Sequence, residues 1–314
     1  MSVLVYAESW NGRFRKSTFE AVSYANKTSE ILGTDVIAVS LEEVLEEELN
    51  KLSAYGASNI ISVPNVNKGD NQAASKVIAD LSDSANVLVF SNTLTSKMIA
   101  PRLSIKLNAA CITNVISLTE SDSICVSRKS FSSKAIEVTE SNTEKTIICI
   151  APNSFGVIEH AVDCNIEISN FSEKGSLSFN GQETASGKIS ISEAEIVVSA
   201  GRGLKGPENW GMIEELADLL GAATACSKPV SDIGWRPHSE HVGQTGKAVA
   251  ADLYIAIGIS GAIQHLAGVN SSKVMVAINT DPEAPFFKAA DYGIVGDAFE
   301  VIPKLIEEIK KIKN

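Results

Sequence analysis

The sequence lacks an apolar run long enough to cross a bilayer. Its longest, 253–263, is broken by Gly258, Ser260 and Gly261, whereas a spanning helix needs about 20 apolar residues. It lacks a basic leader: Met1-Ser2-Val3-Leu4-Val5-Tyr6 opens straight into a strand-like run, so no export signal is read and the expected location is cytoplasmic. Cysteine is sparse. Cys111, Cys125, Cys149, Cys164 and Cys226 are odd in number, scattered and without a CxxC pair. They read as reduced thiols, most of them small buried hydrophobes. Basic charge is also short, 27 Lys and Arg against 38 Asp and Glu, for a net charge of −11. Such a surface repels phosphate backbones, which excludes nucleic acid as a partner. No Gly-x-Ser-x-Gly elbow of a hydrolase and no acidic cluster suited to magnesium occurs. His238-Ser239-Glu240-His241, with Cys226 upstream, matches no zinc spacing and reads as a polar surface loop, so no metal is expected.

What remains is a globular chain of 314 residues, 44% hydrophobic and 21% charged, too long for one ordinary domain and therefore read as two. Strand and helix alternate through the first hundred residues. Strands are expected at 2–6, 35–40, 59–63 and 86–91, and helices at 19–32, 71–82 and 96–107. Leu41, Val44, Leu45, Leu49, Leu52 and Tyr55 keep to one further helical face that Gly56 stops. This alternation implies a parallel sheet flanked by helices. From 110 to 150 the pattern becomes four consecutive strands, 111–119, 123–131, 135–140 and 146–150, read as a more antiparallel appendage. The stretch 173–187 is the linker candidate. Beyond it the alternation resumes. Strands are expected at 194–200, 222–226, 253–257, 273–278 and 292–295, and helices at 207–220, 260–267 and 299–311. The fold class is α/β, with two domains, each a mostly parallel sheet with helices. The second is an open doubly wound, Rossmann-like sheet.

Gly201-Arg202-Gly203-Leu204-Lys205-Gly206 is a GxGxxG between an expected strand and helix. Such glycines permit a tight turn and bring backbone amides close to a phosphate. They also serve in a turn that holds no ligand. The acid that would hold a ribose about 20 residues on is missing; Ser227 and Lys228 stand there. A pyridine-nucleotide dehydrogenase therefore loses its anchor. Val242-Gly243-Gln244-Thr245-Gly246-Lys247 lacks both the spacing and the leading strand of a P-loop. It remains a loop of amide, hydroxyl and backbone donors suited to the edge of a heteroaromatic ring. In Ile259-Ser260-Gly261-Ala262-Ile263-Gln264-His265, Ser260 is an expected N-cap and the helix start would face an anion or a carbonyl oxygen. A nucleotide-binding module without redox chemistry fits these loops as well.

The run 253–268, with Val276-Ala277-Ile278-Asn279 and Asp281-Pro282-Glu283-Ala284-Pro285, resembles the signature of the electron transfer flavoprotein alpha subunit family. Gly201-Arg202-Gly203-Leu204-Lys205, the 242–247 loop and Ala290-Asp291-Tyr292-Gly293-Ile294-Val295 fit it in order and spacing. Ala100-Pro101-Arg102-Leu103 and Cys111-Ile112-Thr113-Asn114-Val115 fit more weakly. The resemblance implies an electron carrier rather than an enzyme, one half of a heterodimer with a beta subunit. Residues 1–186 would be a nucleotide-hydrolase-like α/β domain, with extra strands at 110–150, contacting that subunit. Residues 187–314 would bind FAD. The beta subunit would hold AMP or a second FAD. Electrons would come from flavin dehydrogenases such as the acyl-CoA dehydrogenases of fatty acid oxidation and leave to an acceptor such as a membrane quinone oxidoreductase.

The resemblance also implies roles. Arg202 would meet the FAD pyrophosphate or flavin edge, and Ser227 would bond the cofactor. Val242, Gly243, Gln244 and Thr245 would line the isoalloxazine, with the Thr245 hydroxyl near N5. Ser260, Gly261, Ala262, Ile263, Gln264 and His265 would wrap the diphosphate and ribityl side, with His265 near the C2 carbonyl. Asn279, Asp297 and Ala298 would hold the adenosine end. Lys228, Thr245 and His265 would tune the potential. The family usually has Arg where this chain has Lys228. Lysine keeps the charge but loses the planar guanidinium.

Overall fold

Val3 and Val5 of the first strand face one hydrophobic cluster, and Leu4 and Tyr6 face another. This is the period-two signature of a strand covered on both faces. In a computed structural model, which describes residues 2–119, 123–131, 133–171, 175–177, 180 and 190–313, that pattern resolves into α/β architecture. The chain divides into two compact units, Met1–Phe131 with Ala135–Glu183, and Ser132–Lys134 with Thr184–Asn314. No described helix is long and apolar enough to cross a membrane.

The N-terminal unit contains β1 (Ser2–Tyr6), the short antiparallel pair β2 (Ser9–Trp10) and β3 (Arg13–Phe14), α1 (Lys16–Leu32), β4 (Asp35–Leu41), α2 (Glu46–Asn50), β5 (Asn59–Val63) and α3 (Asn71–Asp80). It continues with β6 (Ala85–Ser91), α4 (Leu94–Leu107), β7 (Ala110–Val115), β8 (Cys125–Ser130), β9 (Ala135–Glu140), β10 (Thr146–Ile150) and β11 (Asn165–Ile168). Nine strands form one sheet in the order β11-β5-β4-β1-β6-β10-β7-β8-β9. α1 covers one face through Ala21, Val22, Tyr24 and Ala25. α3 and α4 cover the other through Val77, Ile78, Ile99 and Leu103.

Three expectations change here. Residues 110–150 are not one antiparallel appendage. β10 inserts between β6 and β7 and runs parallel to both, leaving β8 and β9 as the antiparallel extension. All five β10 residues are buried, as an interior parallel strand requires. The helical face drawn through Leu41–Tyr55 is also shorter. Leu41 ends β4, Leu45 is exposed, and the helix begins at Glu46, where Glu46, Glu47 and Glu48 lie at the positive end of its dipole. β11, parallel to β5 at the sheet edge, has no counterpart in the sequence reading. Most of the linker candidate 173–187 lies outside the described residues.

The C-terminal unit contains β12 (Ile196–Ala200), α5 (Gly211–Leu220), β13 (Ala223–Cys226), α6 (Lys228–Asp232), β14 (Leu253–Ile257), α7 (Ile263–Val269), β15 (Val274–Asn279), β16 (Tyr292–Val295) and α8 (Ala298–Lys313). Its five strands are all parallel, in the order β13-β12-β14-β15-β16. This is a doubly wound order that reverses between β12 and β14, and ligands of such sheets bind outside the carboxyl ends of the strands at that reversal. α5 and α8 pack on one face through Ile213, Leu216, Ile302 and Ile306. The other face is closed by Val242, Val249, Val269 and Phe286 over Tyr254 and Ala256.

Candidate functional site

Every residue expected to meet a cofactor lies at the carboxyl ends of the C-terminal strands or in the loops and helix starts that follow them. The glycine turn after β12 is the first. Gly201 N–H donates to the Ile257 carbonyl at 2.9 Å and Gly203 N–H to the Gly258 carbonyl at 3.2 Å. A Cβ on Gly201 would lie 2.2 Å from the Gly258 oxygen, and one on Gly203 2.6 Å from the Gly258 Cα. These glycines exist because two loops meet backbone to backbone at the reversal. Leu204, Lys205 and Gly206 N–H groups are likewise bonded within the turn. The turn leads into single 3-10 turns, and α5 starts only at Gly211. A pyrophosphate cradle of the dinucleotide type needs free amides and an immediate helix, so the turn is a packing device. Arg202 remains exposed at its tip.

The start of α7 is the opposite case. Ser260 is not its cap: the N-cap is Ala262, with no side-chain hydrogen bond. Gly261, at φ +84°, and the bond from Phe286 N–H to the Ser260 carbonyl at 3.1 Å hold the chain extended past Ser260. The N–H groups of Ala262, Ile263 and Gln264 have no acceptor among the described residues, and all three residues are exposed. Such orphan donors are completed by an anion or a carbonyl oxygen.

The 242–247 loop lies against this helix start. Gln244 N–H donates to the Gln264 carbonyl at 2.7 Å, and Val249 N–H to the Gly268 carbonyl at 2.8 Å. A Cβ on Gly268 would meet the Gly243 Cα at 2.5 Å, so both glycines are needed for the close approach. The Val242 side chain is wholly buried in the core, and only its backbone faces outward chemistry. Gln244 and Thr245 are exposed.

His265 is 7% exposed, and its Nε2 lies 2.9 Å from the hydroxyl of buried Tyr254. It also donates to the Val242 carbonyl, and its pKa is pushed down to about 4, by burial first and by His241 second. The imidazole is therefore neutral, accepts from Tyr254, and points into the core. It holds the loop and the helix together rather than presenting a nitrogen at the open edge.

At β13, Ser227 is buried, and its N–H donates to the Ala200 carbonyl at 3.1 Å. Lys228 opens α6 and is exposed. Neither Arg202 nor Lys228 forms an ion pair with a described carboxylate. Lys205 does, 3.4 Å from Asp297. Asp297 accepts from Phe299 N–H at 3.0 Å, the first cause of its lowered pKa, with Lys205 adding to it. It thus caps α8. Ala298 is buried. The Asn279 amide bridges the Ile259 carbonyl at 3.1 Å and Asp281 N–H at 3.1 Å. At the β15 and β16 ends, these residues shape the edge rather than reach from it.

The 238–241 stretch departs from the expected polar surface loop. It is a 3-10 turn in which Glu240 and His241 are buried. Arg236 binds Glu240 at 2.7 Å and Glu214 at 2.9 Å. Cys226, at the strand end behind it, has its thiol pushed up to about 12 by burial, with Glu240 adding to the effect. The sequence signal for His241 was the pair of glycines, Gly243 and Gly246, that follow it; its ring fills the space they leave.

An open parallel sheet with, among the described residues, orphan amides, two cations outside any ion pair and a donor-lined loop at its reversal is a binding unit for an anionic, ring-bearing cofactor. The profile of the electron transfer flavoprotein FAD-binding domain matches residues 190–270, and that of the electron transfer flavoprotein domain matches 3–174. Among curated relatives, the electron transfer flavoprotein subunit alpha of Bacillus subtilis is 37% identical over 99% of this chain and 98% of its own. That of Syntrophomonas wolfei is 36% identical over 98% of both. That of Paracoccus denitrificans is 36% identical over 97% of this chain and 99% of its own. The chain belongs to the electron transfer flavoprotein alpha subunit family, a family of electron-transfer proteins rather than of enzymes that turn over a substrate of their own.

Proposed function

We propose that the chain is the FAD-carrying half of a heterodimeric electron carrier, completed by a beta subunit that holds AMP or a second FAD. The observation that carries this reading is the row of Ala262, Ile263 and Gln264 amides at the start of α7, without an acceptor among the described residues, within the stretch matched by the FAD-binding profile. The residues fit the group. A diphosphate is completed by the orphan amides and by Arg202, and an isoalloxazine edge by the Gln244 side-chain amide and the Thr245 N–H and hydroxyl, since the Gln244 N–H is already given to the Gln264 carbonyl. Bound there, FAD would supply one- and two-electron chemistry, and the chain's own task is position and field. Lys228, a positive charge at the start of α6, favours negative charge on a group beside it. Ser227, Val242, Gly243, Ser260, Gly261 and His265 set the backbone frame; Asn279, Asp297 and Ala298 form the far edge, toward the adenosine. Residues 1–186 are read as the beta-subunit contact and 187–314 as the FAD domain. The five free cysteines fit a cytoplasmic, reducing setting. Flavin dehydrogenases such as acyl-CoA dehydrogenases are the proposed donors, and a quinone oxidoreductase the proposed acceptor. Co-expression with the beta subunit tests the reading. A yellow complex that releases free FAD on denaturation is expected, and a colourless complex with no affinity for FAD overturns it.

A further inference from the structure

His241 is 3% exposed and stands directly before the 242–247 loop. Its backbone is fixed on three sides. Its N–H donates to the His238 carbonyl at 3.2 Å, its carbonyl accepts from Lys247 N–H at 2.9 Å, and the next N–H, of Val242, donates to Cys226 at 3.0 Å. The ring then fills the hollow of the 242–247 loop. A Cβ on Gly246 would lie 2.9 Å from its Cγ and Cδ2, and one on Gly243 3.6 Å from its Nε2. The same point on Gly243 is 3.2 Å from the Gln264 carbonyl and 3.7 Å from the His265 Cα. Nε2 is thus placed between the loop and the first turn of α7.

Titratable groups lie on each neighbouring element. α6 supplies Lys228 and Asp232. The 3-10 turn supplies His238, whose ring centre is 5.9 Å away, and Glu240, which is held by Arg236. α7 supplies the neutral imidazole of His265, and β13 the Cys226 thiol. Burial first, then His238 and Lys228, lower the His241 pKa against the pull of Asp232.

We propose that His241 is a positioning residue of the flavin site: its neutral ring sets the height of the 242–247 loop over the start of α7, and its protonation adds a positive charge directly beneath that loop. The inference rests on the FAD reading above. It separates two effects of one side chain. Ring volume holds the loop at every pH. Ring charge appears only on acidification, and then favours a bound group that gains negative charge on reduction.

The test uses the full chain with its beta subunit, as wild type, His241→Gln and His241→Ala. The glutamine keeps reach and neutrality, and should retain FAD as wild type does. The alanine removes the prop, and its FAD dissociation constant should rise about 10-fold or more, tenfold being a modest loss of contact. Midpoint potentials of wild type and His241→Gln should coincide at pH 8 and separate only on acidification past the ordinary imidazole range, because burial and His238 lower the His241 pKa, with wild type the higher. Coincident or uniformly offset potentials, or wild-type retention of FAD by His241→Ala, overturn the proposal. A wild-type complex without FAD indicts the flavin reading instead. The FAD-free protein then decides on its own: the amide resonances of 243–246 should shift with the same midpoint as the His241 ring, and loop amides that ignore that titration overturn the proposal.

Discussion

At the scale of single residues, the site works through a few groups whose partners are missing and a few whose partners are complete. Lys228 is exposed and without an ion-pair partner among the described residues, so its charge is available to whatever lies beside it. Exposure also lets solvent and salt weaken its field. Replacing it by glutamine should lower the flavin potential by about 40 mV, the equivalent of about 1 kcal/mol for one electron. Arginine there should raise it, because the planar guanidinium is less hydrated and stacks closer. Redox titration at low and high salt checks both: the gap between variants should shrink with salt, and equal potentials in all three would sink the idea. His265 has its partners complete, and its effect is on stability. Its pKa of about 4 in the folded chain lies below the ordinary 6.5, so the unfolded state binds more protons between those values. Stability therefore falls as pH drops through 6.5 toward 4, by up to about 3 kcal/mol for such a shift. Urea unfolding of wild type and His265→Gln across that range should show the steeper decline in wild type. Parallel curves would exclude the buried neutral imidazole as a source of acid sensitivity.

At the scale of elements, the alternation of strands and helices was legible, because apolar periodicity is local. What failed was non-local. β10 reads as one more hairpin strand among Ser- and Asn-rich turns, and nothing near it announces that it enters the middle of a parallel sheet. Gly201 and Gly203 were legible as a turn, but their reason is Gly258, far along the chain. Ser260 has the right chemistry for a cap and is overruled by Gly261 and Phe286. This last contact makes a sharp prediction. A Cβ on Gly261 would lie 2.4 Å from the Phe286 nitrogen, at a φ of +84°. Gly261→Ala combines backbone strain with overpacking and should cost roughly 2–4 kcal/mol, lowering the urea midpoint by about 1–2 M. Gly211→Ala is the matched control. Nothing lies within 4 Å of its Cβ, and it opens α5 in helical conformation. It should be neutral or stabilise by up to about 1 kcal/mol. Equal midpoints for the two variants would mean that the Phe286 contact does not fix the start of α7.

At the scale of the whole molecule, the chain carries two sheets, each with its own pair of hydrophobic clusters. Each unit thus has what a domain needs to fold as a cooperative body. The family's FAD-binding match falls within 190–270, inside the C-terminal unit, and every proposed cofactor contact lies at the carboxyl edge of that unit's sheet. A ligand stabilises only the body that binds it, by RT ln(1 + [L]/Kd), about 2.7 kcal/mol at a hundredfold excess over Kd. Calorimetry of the full chain should therefore resolve two transitions, of which FAD raises one and leaves the other in place. The cofactor-sensitive transition should also be the one that Gly261→Ala lowers and that His265 makes acid-sensitive, because all three act on the same sheet edge. An FAD shift confined to the transition that Gly261→Ala leaves untouched would move the cofactor to the N-terminal unit and overturn the assignment of the site.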